Sequence, residues 1–171
     1  MARNVEIKAR VDDPSTLFDR ARAIADDGPV EILQDDTFFH CAIGRLKLRI
    51  LSDSEGQLIH YQRPDSTQPK ESQYCIVPTS TPHALRETLV HALGAHGRVR
   101  KKRFLFLIGN TRIHLDEVEG LGHFMELEVV LNEGETTAYG VAIAHDIMRQ
   151  LGVRDDQLVA RAYVDLLSTN A

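Results

Sequence analysis

A strict alternation of charged and apolar residues is the feature that most constrains how this chain can fold. In residues 4–11, every even position is polar or charged and every odd position is apolar. Residues 45–50 repeat the pattern with cations only, and residues 126–129 repeat it with carboxylates. Since side chains two residues apart lie on the same face of a β-strand, each of these segments offers one charged face and one apolar face.

Eight segments share this period of two, which predicts eight strands. The predicted strands are residues 4–11, 34–40, 45–51, 57–63, 73–77, 98–108, 111–118 and 124–131. Gly109-Asn110 is a hairpin signal between two of them, and Gly120 and Gly122 mark a second bend. Residues 65–72 form a polar run that contains Pro69 and follows Pro64, and they are predicted to form a loop.

Helix signals fall between and after the predicted strands. Asp13 can cap a helix that begins at Pro14 and stops before Gly28-Pro29. The other predicted helices are residues 82–93, 135–151 and 157–167. Strands in succession with helices inserted predict an α+β fold with an antiparallel sheet.

Length and composition limit the class of protein. The 171 residues predict one domain, residues 1–171. A net charge of −5 gives no general attraction to nucleic acid, so basic groups must act locally. No apolar run approaches the ~20 residues of a membrane span, and the charged N-terminus does not resemble a signal peptide. We therefore expect a cytoplasmic protein without a nucleic-acid or membrane partner. Cys41 and Cys75 lack C-x-x-C spacing, and we expect both to be buried.

The charged strand faces have two interpretations. For a single strand, a charged face in solvent and an apolar face on the core is the ordinary arrangement. However, surfaces usually mix signs, whereas Arg45, Lys47 and Arg49 are all cationic and Glu126 and Glu128 are both acidic. The helices also need apolar partners. We therefore favour a curled sheet with helices outside, whose charged faces converge in a wet interior. A ring of buried charges without a ligand would be costly, so this interior is expected to receive an anion and metal.

The signs of the charges suggest the ligand. A polyphosphate is a row of anionic oxygens, for which Arg forks and Lys ammonium groups are the usual partners. The carboxylates would repel it unless Mg²⁺ or Mn²⁺ lies between them. His114 lies on the charged face of its predicted strand, where it can serve a phosphate. Clustered cations are expected to repel one another in the empty tunnel, so replacing Arg49 or Arg103 should not reduce stability without ligand.

The ordered motifs resemble a known family. Glu6-Ile-Lys8 resembles the ExExK signature of the CYTH superfamily, the triphosphate tunnel metalloenzymes. Further motifs follow in the family's order: Gly44–Arg49, Tyr61-x-Arg63, Lys101-x-Arg103, residues 112–122 and Glu126-Leu-Glu128. The resemblance is closest to the class IV adenylyl cyclase-like branch, which is related to thiamine triphosphatase. It implies a closed antiparallel eight-stranded β-barrel, a triphosphate tunnel, with helices packed outside.

The resemblance also implies roles for individual residues. The implied metal ligands are Glu6, Asp116, Glu126 and Glu128. The implied substrate-binding cations are Lys8, Lys47, Arg49, Arg63, Lys101 and Arg103. The implied catalytic residues are Lys8, Asp116 and Arg103. The chain departs from the signature at Asn4, which stands where the family has the first glutamate, so one metal carboxylate is missing.

These observations predict metal-dependent chemistry on a nucleoside or other organic triphosphate, with Mg²⁺ or Mn²⁺ as cofactor. Hydrolysis of the terminal phosphate is slightly favoured. The alternatives are a cyclase that makes cyclic AMP and pyrophosphate from ATP, or a module that binds polyphosphate without turnover. The expected partner is a triphosphate-containing small molecule, and a homodimer is left open.

Overall fold

The computed structural model describes residues 1–169, and its eight strands close into one antiparallel barrel. The strands are β1 (Ala2–Arg10), β2 (Asp27–Phe39), β3 (Arg45–Ser52), β4 (Glu55–Gln62), β5 (Lys70–Thr79), β6 (Ala95–Ile108), β7 (Thr111–Val118) and β8 (Gly122–Leu131). Around the barrel their order is β1-β5-β4-β3-β2-β6-β7-β8. The predicted closed eight-stranded barrel is confirmed.

The helices among the described residues are α1 (Pro14–Ile24), α2 (Pro82–Leu93), α3 (Thr137–Leu151) and α4 (Tyr163–Thr169). Asp13 caps α1 as predicted, because its Oδ1 accepts a hydrogen bond from the backbone N–H of Thr16 at 3.1 Å. Helix α3 ends at Gly152, whose φ of 70° lies in the left-handed region that glycine adopts at low cost.

Helix α4 begins later than the sequence pattern predicts. The chain between residue 158 and Tyr163 is not helical. Leu158 instead forms an isolated antiparallel bridge with Ala9 at the end of β1. Since this backbone continues the sheet, it cannot also be helical. The prediction of a helix over residues 157–167 was therefore wrong in its first half.

Strands β2 and β5 begin earlier than the sequence pattern predicts. Strand β2 begins at Asp27, and residues 27–33 pair with residues 102–107 of β6. The side chains from Asp27 to Glu31 are all exposed, so no apolar alternation marks them as a strand. Strand β5 begins at Lys70 inside the predicted loop, because its first residues pair with β1.

The apolar faces of the strands point outward and form a core with the helices. Ile7, Ile113 and Leu127 lie in one buried cluster with Leu17 of α1 and Ile147 of α3. Since side chains alternate along a strand, the charged faces point into the barrel. Charged faces turned to solvent, the first of the two interpretations above, are excluded for these strands.

The expectation that both cysteines are buried was wrong. Cys41 lies in the connection between β2 and β3 and is exposed. Cys75 is exposed on the outer face of β5, where Val77 is exposed as well. Among residues 1–169, each helix is too short or too polar to cross a membrane.

Candidate active site

The interior of the barrel holds a cavity of about 390 Å³ to which all eight strands contribute. The predicted site residues that line it are Glu6, Lys8, Lys47, Arg49, Arg63, Lys101, Arg103, Glu126 and Glu128. Asp116 lies deeper, next to Arg103, and its carboxylate is fully buried. The alternation of side chains along β1, β3, β6 and β8 thus brings together residues that are far apart in sequence.

Asp36 on β2 is the centre of the first ion cluster, and it was not among the predicted site residues. Arg49 donates two hydrogen bonds to its carboxylate, both at 2.8 Å, and Lys47 donates one at 2.8 Å. Lys101 Nζ lies 3.7 Å from Asp36 Oδ2. Burial raises the pKa of Asp36, but the attraction of Arg49, Lys47 and Lys101 outweighs it and holds that pKa well below its usual range. Asp36 is therefore an anion at neutral pH.

Arg103 on β6 joins the second ion cluster. It donates to both oxygens of Asp116, at 2.7 and 2.6 Å, and to Glu126 at 2.8 Å. The hydroxyl of Tyr163 donates to Asp116 at 2.9 Å. Lys8 Nζ lies 3.2 Å from Glu126 and 3.9 Å from the centre of the Tyr163 ring, within range of a cation–π contact. Tyr163 thus contacts both signs of charge, a role that sequence reasoning missed.

These two clusters overturn the expectation that the cations simply repel one another. Arg49 and Arg103 each form a two-pronged ion pair with a buried carboxylate, Asp36 and Asp116 respectively. Such pairs attract strongly because solvent is excluded. Replacing either arginine leaves a buried carboxylate with fewer partners, so a loss of stability is now expected instead.

The lysines in the cavity have lowered pKa values. Burial, followed by repulsion from Arg103, lowers the pKa of Lys101 to about 7. Burial also lowers the pKa of Lys8 and Lys47. Because burial disfavours the charged form, an anion that neutralises these ammonium groups would raise their pKa values again.

Two further acidic residues form ion pairs inside the barrel. Arg63 Nε lies 3.1 Å from Glu6, and Arg112 donates to Glu128 at 2.9 Å. Burial raises the pKa of Glu6 to about 6, although Arg63 opposes this shift. Burial raises the pKa of Glu128, but the combined effect of His114, Arg112 and Arg103 outweighs it, so that pKa is lowered. Both carboxylates still reach the cavity.

Glu126 and Glu128 come together with His114 as a group that could hold a metal ion. The ligand atoms of these three residues all lie within 4.8 Å of one another. Among residues 1–169, the buried atoms without a hydrogen-bond partner include His114 Nδ1 and Asn4 Oδ1, both of which belong to cavity-lining residues. Two carboxylates and an unpartnered imidazole nitrogen fit a divalent cation. Glu6 and Asp116 are not in this group, and their role as metal ligands stays a prediction.

Part of the cavity lining is apolar. This part consists of Ile32, Ile76 and Leu105. Each lies two residues along its strand from a polar lining residue (Gln34, Tyr74 and Arg103, respectively) and therefore shares the inward face with it. Ile76 is 46% exposed, so this apolar part reaches solvent. The cavity therefore offers both an ionic interior and an apolar, open portion.

Comparison with known proteins shows which family and which solved structures this barrel is similar to. The CYTH domain model matches residues 2–163. Among solved structures, the PH1012 protein from Pyrococcus horikoshii OT3 is 20% identical with a TM-score of 0.85, covering 95% of this chain and 98% of that one. A candidate adenylate cyclase from Vibrio parahaemolyticus is 18% identical with a TM-score of 0.77, covering 96% and 97%.

HpAC1 from Hippeastrum, a candidate adenylyl cyclase with a dominant triphosphatase activity, is 16% identical with a TM-score of 0.69, covering 98% of this chain and 96% of that one. At these identities the structural likeness shows a shared fold. No curated protein matches the chain at a significant level. The family match nevertheless spans almost all of the barrel and its inward-facing charges, and on that basis the chain belongs to the CYTH domain family.

Proposed function

We propose that this protein is a metal-dependent enzyme that hydrolyses an organic triphosphate bound inside the barrel. The observation that carries the proposal is the charge of the cavity, where seven cations and four carboxylates form the lining. A net positive interior suits an anion with several oxygens. The dominant triphosphatase activity of HpAC1, a protein with the same fold, agrees with this assignment. We treat residues 1–171 as one functional domain, because Tyr163 lines the same cavity as Glu6.

The side chains of the cavity would act mainly by positioning the substrate and by stabilising charge. Arg49 and Arg103 would hold non-bridging phosphate oxygens with N–H groups outside the edge that pairs with Asp36 or Asp116. Lys8 and Lys101 would neutralise the charge that develops on the leaving group. Mg²⁺ or Mn²⁺ held by Glu126 and Glu128 would supply positive charge to the phosphate oxygens when bound.

The apolar part of the lining supports an organic substrate over inorganic triphosphate. Ile32, Ile76 and Leu105 can contact an aromatic or aliphatic group, as apolar surfaces of ligand sites commonly do. The same surface would accept a nucleoside, which supports cyclisation of ATP as the second candidate. In that reaction the ribose hydroxyl attacks the α-phosphorus, and pyrophosphate leaves.

A panel of substrates tests the proposal. The protein is incubated with ATP, thiamine triphosphate or inorganic triphosphate and with Mg²⁺ or Mn²⁺, and the assay measures phosphate, pyrophosphate and cyclic nucleotide. Release of phosphate supports hydrolysis, whereas cyclic nucleotide with pyrophosphate identifies a cyclase. Binding without any product would make the protein a polyphosphate-binding module. Lys101→Met is the site variant for this panel. Lys102→Met is its matched control, because Lys102 lies next to Lys101 but on the outer face of β6.

Triphosphate affinity should fall as the pH rises above 7. Lys101 has a pKa of about 7 in the empty cavity, and bound phosphate would raise it, so binding takes up a proton above pH 7. One proton taken up corresponds to a loss of up to about tenfold in affinity per pH unit. Calorimetry with inorganic triphosphate between pH 6 and pH 9 measures this slope. Lys101→Met should bind more weakly with a shallower slope, and Lys102→Met should keep the original slope. An equal slope in both variants would contradict the assignment.

Asn4→Glu should strengthen the binding of a second metal ion. Asn4 is 3% exposed, lines the cavity, and has an amide oxygen without a hydrogen-bond partner among residues 1–169. A carboxylate there would add a charged ligand, which divalent ions prefer. The measurement is turnover and calorimetry against Mn²⁺ concentration in the presence of triphosphate. Asn4→Gln is the control, because it matches the added length without the charge. A lower rate for Asn4→Glu at saturating metal would show that the neutral residue suits a one-metal site.

A further inference from the structure

We infer that His114 is the third protein ligand of the metal ion, together with Glu126 and Glu128. The site would then take a divalent transition-metal ion through one nitrogen and two oxygens. This inference rests on the proposed metal-dependent function and adds a ligand and an ion preference to it. Oxygen ligands alone were expected from the sequence.

The register of β7 and β8 places the three side chains together. His114 is directly opposite Glu126, and Arg112 is directly opposite Glu128. His114 and Glu128 are therefore diagonal neighbours on the inward face, a separation that long side chains bridge. The result is the mutual distance of at most 4.8 Å between their ligand atoms.

The imidazole of His114 lacks a partner that would explain its burial. The residue is 4% exposed, and its Nδ1 has no hydrogen-bond partner among residues 1–169. The nearest acidic oxygen, Glu126 Oε2, is 3.8 Å away, which is too far for a hydrogen bond. Since buried polar atoms are almost always satisfied, this nitrogen points to a bound species. It lines the cavity, so that species would reach it from the cavity.

Asp116, one of the other predicted metal carboxylates, is less available to this ion. Asp116 has a fully buried carboxylate held by Arg103 and Tyr163. Glu126 and Glu128 are also ion-paired, but 18% and 20% of their side chains remain exposed to the cavity. The His114 nitrogen thus lies close to two carboxylates that reach the cavity, where the family signature would suggest oxygen ligands only.

A nitrogen ligand changes which ions bind well. Mg²⁺ prefers oxygen ligands and gives up its waters reluctantly. Imidazole favours later transition metals, and affinity for mixed nitrogen and oxygen sites rises from Mn²⁺ to Co²⁺. We therefore expect the protein to bind Co²⁺ more tightly than Mn²⁺, and Mn²⁺ more tightly than Mg²⁺.

Pulsed electron paramagnetic resonance of the Mn²⁺-loaded native protein tests the ligand directly. A histidine nitrogen bound to Mn²⁺ modulates the electron spin echo, and the modulation changes when the histidines carry ¹⁵N. We expect this modulation in the native protein and its loss in His114→Asn. Its absence from the native protein would overturn the inference, whether or not the variant folds.

Calorimetry with Mg²⁺, Mn²⁺ and Co²⁺ gives the second readout. His114→Asn should weaken Mn²⁺ and Co²⁺ by about tenfold or more, as perturbed metal ligand shells commonly do, while Mg²⁺ should change much less. His123→Asn is the matched control, because His123 is exposed on β8. Equal losses for all three ions would contradict a role in ion choice.

The outcomes separate this inference from the proposed function. Turnover that needs metal, without nitrogen modulation, would overturn only the inference. Nitrogen modulation without product from any triphosphate would leave the metal site standing and overturn the enzymatic proposal. Failure of the native protein to bind any of the three ions would overturn the inference, and turnover in the presence of EDTA would then overturn metal dependence.

Discussion

Arg103→Met is expected to lower the free energy of unfolding by about 3–5 kcal/mol, because it removes one partner of a buried ion pair. Arg103 donates three hydrogen bonds to Asp116 and Glu126, at 2.6 to 2.8 Å. After the change, Asp116 keeps only the hydroxyl of Tyr163 as a close donor among residues 1–169. Triphosphate turnover should be lost as well, because the guanidinium lines the cavity. Urea denaturation at neutral pH and the phosphate assay measure the two effects.

Two further variants show whether the buried pair is the cause. Arg103→Met combined with Asp116→Leu removes both charges, and such double replacements are often neutral or stabilising. The double variant should therefore recover most of the lost stability while remaining inactive. Arg100→Met is the exposed control on the same strand, and its loose contact with Glu119 at 3.5 Å should contribute little. A single variant as stable as the native protein would show that Arg103 does not stabilise the empty barrel.

Asp36→Asn is expected to cause a loss of similar size, about 3–5 kcal/mol, because Lys47, Arg49 and Lys101 lose their shared counter-ion. Inorganic triphosphate without metal should then raise the melting temperature of the variant more than that of the native protein, since the added anion replaces the missing charge. Thermal melting with increasing triphosphate measures this rescue.

The neighbouring Asp35→Asn is the matched control for Asp36→Asn. Asp35 points to the outer face of β2, where Arg98 donates to it at 2.7 Å, and exposed pairs of this kind contribute little. The acid stability of the native protein provides a second check. Because the pKa of Asp36 is lowered on folding, its contribution is present at neutral pH and is lost as the pH falls below the unfolded value of about 4. Asp36→Asn should lack that part of the acid transition. If triphosphate raised the melting temperatures of Asp36→Asn and of the native protein equally, the counter-ion role of Asp36 would be contradicted.

The barrel could be predicted from sequence because its wall separates two environments. Each strand places apolar residues against helices and charged residues in the cavity, so alternation is visible in β1, β3, β7 and β8. The signal fails where both faces are exposed, as in residues 27–31 at the start of β2. It fails again before α4, where the chain pairs with the end of β1 instead of forming a helix.

The candidate site was predictable in its residue types but not in its pairings. Alternation identifies Arg49 and Arg103 as inward cations, yet only the register shows that Asp36 lies opposite Arg49 and Asp116 opposite Arg103. Asp36 is in phase with Gln34 on its predicted strand, and that signal could have identified it. Tyr163 carried no such signal, since its place depends on how α4 returns to the barrel.

The counter-ion at Asp36 has a consequence for discrimination between anions. A small monoanion that enters the cavity can at best exchange one ion pair for another, because Asp36 already satisfies Lys47 and Arg49. A chain of three phosphates presents several oxygens and can engage additional cations such as Lys8 and Arg63 at the same time. The built-in carboxylate therefore sets a minimum charge that a ligand must carry. Chloride would therefore bind poorly. Under the proposed hydrolysis, a released orthophosphate carries fewer charges than the triphosphate and would bind more weakly than the substrate.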